Sequence, residues 1–582
     1  MTIAAKPLKP SVCKPWLKYY SESAIQFELP KATIYRYIYE NNKNHRASIA
    51  INYFGARISY GKLLDSIDRC ASAFSALGVR KGDVICCASV STPESAYVLY
   101  ALNKLGASVL TLDPRRSVSE LRKFIESASR KVIVVLDLAY EHVCEAMEGL
   151  GVENVVVSSV DDSMPLTVRT LKRLKMPAPK IAYNVHTYKW SSFLRLGKGI
   201  EVEEAAYGET ELAAITLTGG TTGDPKGVML SNDGFNAVAV DFRMCGVSYS
   251  RDQRFLNIIP VFSSYGIVSS LHMPLSLGLE IVMIPKLDPD QLGRLVKKYR
   301  PAHTLLVPAH YEKLMNSKEM QNGFDLSFFE TAGSGGDTMN AGLERKLNGF
   351  LRTHGCKYPL SQGYGMSEVS SAASCCCNGN FKSLSVGYPL LTTTIGIFRP
   401  GTTEELGYNE EGEICITGPS VMLGYYNNAA ETEKVLIRHP DGNVWVHSGD
   451  LGRMDEDGFV FISGRIKRMI TRFDGHKIFP TQVEGAIGTH KDVLSCAVVG
   501  VKDSLHAQGM MAVAVMELRE GCDEKAVQAE VEQICRAELE ERGRPADYLF
   551  VRQMPRTGMG KIDYGRLVVN YEDSCLPMRK IV

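Results

Sequence analysis

Eleven consecutive residues limit what this chain can fold into more than any other stretch: Leu217-Thr218-Gly219-Gly220-Thr221-Thr222-Gly223-Asp224-Pro225-Lys226-Gly227. They join two β-like runs, Ala213 to Thr218 and Val228 to Leu230. Glycine lets the backbone turn so that several N–H groups converge on an anion. Thr218, Thr221 and Thr222 add hydroxyl donors, and Lys226 adds a positive charge. A hairpin with a solvated lysine is the plainer reading of any Gly-rich loop. The whole string has the chemistry of a polyphosphate cradle. It is not a Walker A loop, in which Gly-Lys-Ser/Thr opens a helix. Here Lys226 stands between Pro225 and Gly227, and a β-like run follows.

A chain of 582 residues exceeds what one hydrophobic core usually holds, so two or more domains are expected. Its 45% hydrophobic and 23% charged residues are ordinary for a globular protein. With a formal net charge of +1, no overall electrostatic argument favours nucleic acid or an anionic membrane as partner. Fifteen cysteines without a regular framework suggest reduced thiols and a cytoplasmic location. Cys375-Cys376-Cys377 has no Cys-x-x-Cys partner nearby and is expected in a buried or loop role rather than as a metal site. Met1 to Pro15 has no apolar core and does not read as a secretory signal, and no apolar run is long enough to span a bilayer.

Along the chain, apolar spacing predicts helices over Ala32 to Tyr39, after Ile58, and over Pro93 to Gly106. Strands are predicted at Val84 to Ala88, Ser108 to Leu112, Val132 to Leu136 and Val155 to Val157. Alternation of this kind implies a parallel sheet covered on both faces. Residues 161 to 210, polar and carrying Pro165, Pro177 and Pro179, read as a connection between subdomains. A second α/β block follows, with strands at Leu256 to Pro260, Ile281 to Pro285 and Thr304 to Val307 and helices at Asp288 to Tyr299 and Ala309 to Met315. From about residue 390 short Gly-punctuated strands suggest a small antiparallel subdomain. The tail reads as a compact α+β unit, with helices at Gln482 to His490 and Asp523 to Arg542 and strands at Ser495 to Val501 and Met511 to Glu517.

Four further strings carry chemistry. Gln362-Gly363-Tyr364-Gly365-Met366-Ser367-Glu368 combines an aromatic plate, close backbone, a hydroxyl and a carboxylate. Ser448-Gly449-Asp450 offers an acid at a turn, and Gly464-Arg465 a cation. Pro555-Arg556-Thr557-Gly558-Met559-Gly560-Lys561 ends on a lysine in a polar loop. Alone, each is equally an ordinary turn.

Together and in this order, the five strings resemble the adenylate-forming superfamily of acyl-CoA synthetases, aryl-CoA ligases, luciferases and peptide-synthetase adenylation domains. The resemblance runs from about residue 30 to 567. It implies an α/β fold: a large N-terminal domain (1–466) of two α/β subdomains plus a small β subdomain, then a small mobile α+β domain (467–582). It implies ATP, Mg²⁺ and coenzyme A. In that reading Thr218, Gly219, Gly220, Thr221, Thr222, Gly223 and Lys226 hold the β,γ-phosphates. Tyr364 stacks on adenine, with Gln362, Gly363 and Gly365 around it and Gly335-Gly336-Asp337 on the other face. Ser367 touches the α-phosphate, Glu368 binds Mg²⁺, Asp450 holds the ribose and Arg465 ribose or phosphate. Lys561 bridges the carboxylate and the α-phosphate, Lys467 marks the hinge, and Gly475 leaves room for a pantetheine arm. Catalysis falls to Lys561, Lys226 and Glu368.

The chain departs from the family pattern at five places: Gly219 replaces Ser, Ser367 replaces Thr, Ser263 replaces His, Arg468 stands where an acid is common, and the loop before Gly475 is one residue longer than in many aryl-CoA ligases. Ser263 offers no charge to an amino group, which disfavours an α-amino acid and favours a plain aliphatic or aryl acid. The same hydroxyl reads equally as a backbone brace. Phe242, Met244, Ser263, Ser264, Gly333, Gly363 and Met366 are the candidate walls of the acid pocket. The resemblance therefore implies an AMP-forming carboxylate–CoA ligase. The alternatives are a stand-alone enzyme that loads a carrier-protein pantetheine and a nucleotide-binding protein without activity.

Overall fold

Strands Val84–Ala88 and Ser108–Leu112 have almost no polar alternation, so both of their faces require cover. They pair in parallel from Val84↔Ser108 to Ala88↔Leu112, in the middle of an eight-stranded sheet. The structure, a computed structural model, describes residues 9–208, 211–218, 225–503, 506, 509–556 and 562–575. The sheet runs, edge to edge, Gly424–Tyr425, Gly227–Ser231, Leu212–Leu217, Ser108–Leu112, Val84–Ala88, Ile133–Leu136, Val155–Ser158, Thr187–Lys189. Only the first two strands are antiparallel to their neighbours.

A second sheet of nine strands is parallel through its centre, with Arg254–Asn257, Glu280–Met283, His303–Leu306, Thr331–Ser334 and Ser361–Tyr364 as consecutive members of the α/β block. Helices Pro93–Lys104 and Asn232–Met244 are buried on nearly every side, because residues from both sheets close around them in one continuous core. Their starts are set locally. Thr92 and Ser95 exchange capping hydrogen bonds at 3.1 and 3.2 Å, and Ser231 Oγ accepts from Gly234 N–H at 3.0 Å.

The small subdomain is an antiparallel sheet of Thr394–Phe398, Gly412–Thr417, Val444–Met454 and Leu436–Arg438, with Val460–Arg465 paired to the long strand. The tail forms its own α+β unit: Val493–Lys502, Met510–Leu518 and Asp547–Val551 in one sheet, with helices Pro480–Ile487, Glu524–Glu538 and Tyr564–Cys575. Separate apolar clusters lie on the two faces of that sheet.

Segment 161 to 210 is more than a connection. Thr187–Lys189 adds the edge strand of the first sheet, and helix Trp190–Leu196 buries Trp190 and Phe193 against helix Tyr60–Ala76. A strand of three residues carries too little periodicity to be seen. Cys375, Cys376 and Cys377 are all buried.

Candidate active site

The phosphate-loop string sits on a hairpin whose neck is built from its own threonine and lysine. Strands Leu212–Leu217 and Gly227–Ser231 pair up to Leu217↔Gly227. Thr218 N–H donates to Lys226 O at 2.9 Å, and Lys226 N–H donates to Thr218 Oγ1 at 3.0 Å. Gly219, Gly220, Thr221, Thr222 and Gly223 lie outside the described residues, as does Lys561.

The Lys226 ammonium is paired with the Glu431 carboxylate and lies 4.8 Å from the centre of the Tyr425 ring. Glu431 caps nothing itself; it sits in the first turn of helix Ala429–Val435, whose N-cap Asn428 accepts from Glu431 N–H. Hydrogen bonds from Lys226 and then Lys434 hold the Glu431 carboxyl down at about 2. Tyr425 Oη donates to Glu368 Oε1 at 2.7 Å. Burial, and then the adjacent Glu368 charge, keep that phenol protonated far above neutral pH. Glu368 is 7% exposed and is a hard oxygen donor, the chemistry Mg²⁺ takes when water and phosphate complete its shell.

Strand Ser361–Tyr364 and the short turn Ser367–Val369 place the rest of the second string. Gly365 is obligatory for packing: a Cβ there would lie 1.9 Å from Ser371 O. Ser264 Oγ donates to Ser367 Oγ at 3.0 Å, which joins two of the predicted positions. Tyr364 Oη donates to Asp450 Oδ2 at 2.7 Å, and Arg465 Nε pairs with Asp450 Oδ1 at 2.8 Å. Asp450 and Arg465 are opposite one another on antiparallel strands, so the pairing register sets that ion pair. Met366 lies between these clusters, partly buried against the main core.

The Asp450 turn is braced from below. Ser448 Oγ donates to Ile414 O and accepts from Asp450 N–H, at 2.6 and 3.0 Å. Gly449 N–H donates to Glu413 Oε1 at 3.0 Å, and Glu413 Oε2 meets His447 Nδ1 at 2.9 Å. Burial raises the Glu413 carboxyl, but the hydrogen bonds from His447 and Gly449 outweigh it and leave the group below its ordinary value. Cys415 lies within 4.8 Å of these ligand-type atoms.

Several predicted residues are engaged elsewhere. Ser263 Oγ donates to Pro260 O at 2.8 Å and accepts from Gly266 N–H at 3.1 Å, so its hydroxyl braces the turn rather than facing a ligand. Gln362 Nε2 donates to Glu344 Oε1 at 2.6 Å. Asp337 is exposed, and its Oδ1 accepts from Thr338 N–H at 2.8 Å. Gly335 lies against Gly363 O, Gly336 faces the Tyr265 ring with φ +80°, and Gly333 lies over Leu305. Phe242 is buried and Met244 partly buried on helix Asn232–Met244, which packs against the π-helix Tyr265–His272. Lys467 is exposed in the turn Ile466–Arg468. Gly475, with φ +79°, tips a two-stranded hairpin of the tail, next to Asp474 and Arg472. Tyr425, Glu431, Glu413 and His447 were not foreseen. The only signals were Tyr425-Tyr426-Asn427-Asn428 before a helix and a histidine directly preceding Ser448-Gly449-Asp450.

The family model described as AMP-binding enzyme matches residues 38–426, and that of the AMP-binding enzyme C-terminal domain matches 482–561. The chain is 29% identical over 572 residues to the long-chain-fatty-acid–CoA ligase of Bacillus subtilis, covering 95% of this chain and 98% of that one. It is 27% identical over 540 residues to 4-coumarate-CoA ligase 1 of Narcissus pseudonarcissus, covering 91% and 92%. In fold it matches ATP-bound MatB from Rhodopseudomonas palustris with a TM-score of 0.77 at 23% identity, over 93% of this chain and 99% of that one. It matches the anthranilate CoA ligase AuaEII in complex with anthranoyl-AMP with a TM-score of 0.78 at 19% identity, over 94% and 98%. The chain belongs to the AMP-binding enzyme family.

Proposed function

We propose that the protein is an AMP-forming carboxylate–CoA ligase, which activates an aliphatic or aryl acid with ATP and passes the acyl group to the thiol of coenzyme A. One observation supports this above the others. Residues from four separated strings gather in two clusters, Lys226, Tyr425 and Glu368 in one and Tyr364, Asp450 and Arg465 in the other, which this reading takes as two ends of one site. The seven-residue string that contains both Tyr364 and Glu368 links them.

In the first half-reaction a carboxylate oxygen attacks the α-phosphorus and pyrophosphate leaves. Two anions approach, so neutralisation and positioning supply most of the catalysis. Lys226 reaches the β,γ-phosphates by leaving Glu431. Glu368 would hold Mg²⁺, which would supply neutralisation of the phosphate charge. Tyr364 presents its ring to adenine, and Asp450 accepts from ribose hydroxyls. In the second half-reaction the CoA thiolate attacks the adenylate carbonyl and AMP leaves.

The acid is a plain carboxylate. Ser263 and Ser264 both hydrogen-bond within the protein and carry no charge for an amino group. The Bacillus subtilis relative, aligned over almost its whole length, favours a long aliphatic acid. The test is a panel of aliphatic, aryl and amino acids, read by pyrophosphate release and by thioester mass, with CoA or a pantetheinylated carrier as acceptor. Acyl-CoA from a non-amino acid is expected. Thioester on the carrier alone, or no pyrophosphate from any acid, overturns the reading. Lys561→Ala should slow pyrophosphate exchange by about a hundredfold, the cost of one preorganised charge at the reacting oxygens.

A further inference from the structure

A formal net charge of +1 conceals a local imbalance. From Ser163 to Ile200 there is no Asp or Glu, and there are eight Lys and Arg. The same stretch is unusually apolar at its surface. Six of the seventeen exposed large apolar side chains among the described residues fall between Leu166 and Val185. Both features meet on helix Leu166–Lys175, which buries none of its residues.

The helix has a fixed orientation. Val168 packs on the main core, and Lys172 and Arg173 reach back to the buried carboxylate of Asp161. Leu171 and Leu174, one turn apart, are left 63% and 78% exposed, and Met176 and Val185 follow at 59% and 75%. Arg169, Lys175, Lys180, Lys189, Arg195 and Lys198 are the cations of this stretch outside the Asp161 pairing. The helix lies in the crossover between strands Val155–Ser158 and Thr187–Lys189, at the edge of the first sheet remote from the phosphate-loop hairpin.

We infer that this crossover is a docking surface for an anionic phospholipid bilayer, with Leu171 and Leu174 in the headgroup–acyl boundary and the flanking cations on lipid phosphates. An interfacial helix combines a basic polar side with exposed leucines in this way. Exposing them to water has no gain in a monomer, whereas an anionic interface satisfies both the apolar and the cationic groups. No helix of the described residues is long and apolar enough to cross a membrane, so the surface holds the protein on the bilayer rather than through it. The inference adds to the proposed function: an aliphatic acid partitions into the same bilayer, and docking shortens its path to the enzyme. Binding is independent of turnover, so failure here leaves the ligase reading standing.

The experiment is vesicle flotation of the full chain. Vesicles of phosphatidylcholine, alone or with about one third phosphatidylglycerol, are the probes. The protein is expected to float with the anionic vesicles only, and less so at high salt. Arg169→Gln with Lys175→Gln should lower the partition coefficient about fivefold for each cation lost. Leu171→Gln with Leu174→Gln should lower it at least about tenfold, each leucine having lost its apolar burial. Circular dichroism and pyrophosphate exchange at wild-type levels identify variants that have kept their fold. Wild-type protein that stays at the bottom of the gradient overturns the inference. So do folded variants that float like the parent. A dimer in sedimentation velocity that Leu171→Gln/Leu174→Gln converts to monomer assigns the face to a second copy and also overturns it.

Discussion

Tyr364 Oη donates to Asp450 Oδ2 at 2.7 Å, across 86 residues of sequence. The bond ties the ring proposed to face adenine to the carboxylate proposed to hold ribose, so in that reading one hydroxyl sets the spacing between them. Burial, and then the Asp450 charge, keep the phenol protonated and donating. Tyr364→Phe preserves the ring and removes only this donor, while Arg465 still pairs with Asp450 at 2.8 Å. Losing a hydrogen bond to a charged group costs about 1.5–3 kcal/mol. The ATP KM in pyrophosphate exchange should rise about tenfold, with a smaller change in the KM for the acid. A KM for ATP equal to wild type would show that Asp450 does not need this partner.

Lys226 has two claims on it. It is paired with Glu431 and is the cation proposed for the departing phosphates. Lys226→Ala should lower kcat/KM for ATP by about a hundredfold or more. Glu431→Gln removes the competitor and keeps the helix, so the KM for ATP should fall by about threefold, the modest scale of a part-exposed ion pair. Its acid titration should lose one carboxyl near 2. A rise in KM on Glu431→Gln would instead make Glu431 a brace for the lysine.

Asp241 sets a pH dependence. It is fully buried on helix Asn232–Met244, where Thr392 N–H and Oγ1 donate to it at 2.7 and 3.0 Å. Burial still pushes its carboxyl up to about 7. Glu94, buried beside Ser163, is pushed up to about 7 for the same reason. Each folded value lies above the unfolded one. The stability they contribute is therefore complete below about pH 4 and declines as pH rises through 7. Asp241→Asn keeps the acceptor for Thr392 N–H and removes one titration. Between about pH 6 and 8.5 the parent should lose on the order of 1–3 kcal/mol more stability than the variant. Equal losses of stability in parent and variant between the two pH values, read from denaturant melts, would contradict this.

What could be read from the sequence depended on where each interaction's partners lie along the chain. Val84–Ala88 and Ser108–Leu112 are visible because a buried parallel strand is a continuous apolar run. The phosphate-loop and Tyr364–Glu368 strings are visible because their chemistry is contiguous. Glu431 is not, because its partner Lys226 is 205 residues away and the register between their elements is a tertiary property. Tyr425 carries no charge and marks itself only by touching Glu368. For Ser263 both readings were open in the sequence, and only the position of Pro260 O decides for the brace. The net charge, averaged over the chain, hid the basic crossover at residues 163–200 for a related reason: a sum carries no position.

Arg468, the departure from the family pattern at the turn Ile466–Arg468, is held by the tail. Its guanidinium pairs with Glu484 on helix Pro480–Ile487 and lies 3.7 Å from the centre of the Tyr564 ring. Glu484 Oε1 also accepts from Val498 N–H at 2.8 Å. Burial raises the Glu484 carboxyl, and Arg468 opposes that shift. Arg468→Ala leaves this acid without its cation, which costs about 3 kcal/mol in a buried pair. Arg468→Lys keeps the charge but not the planar stack on Tyr564, and should recover only part. The loss should fall on the tail, so calorimetry should show its transition moving down while that of the rest of the chain stays in place. Arg468→Ala/Glu484→Gln removes both charges and should be more stable than Arg468→Ala alone, since the unpaired carboxylate is the larger cost. If the double variant is no better than the single one, the cation–π contact with Tyr564 rather than the ion pair holds this turn to the tail.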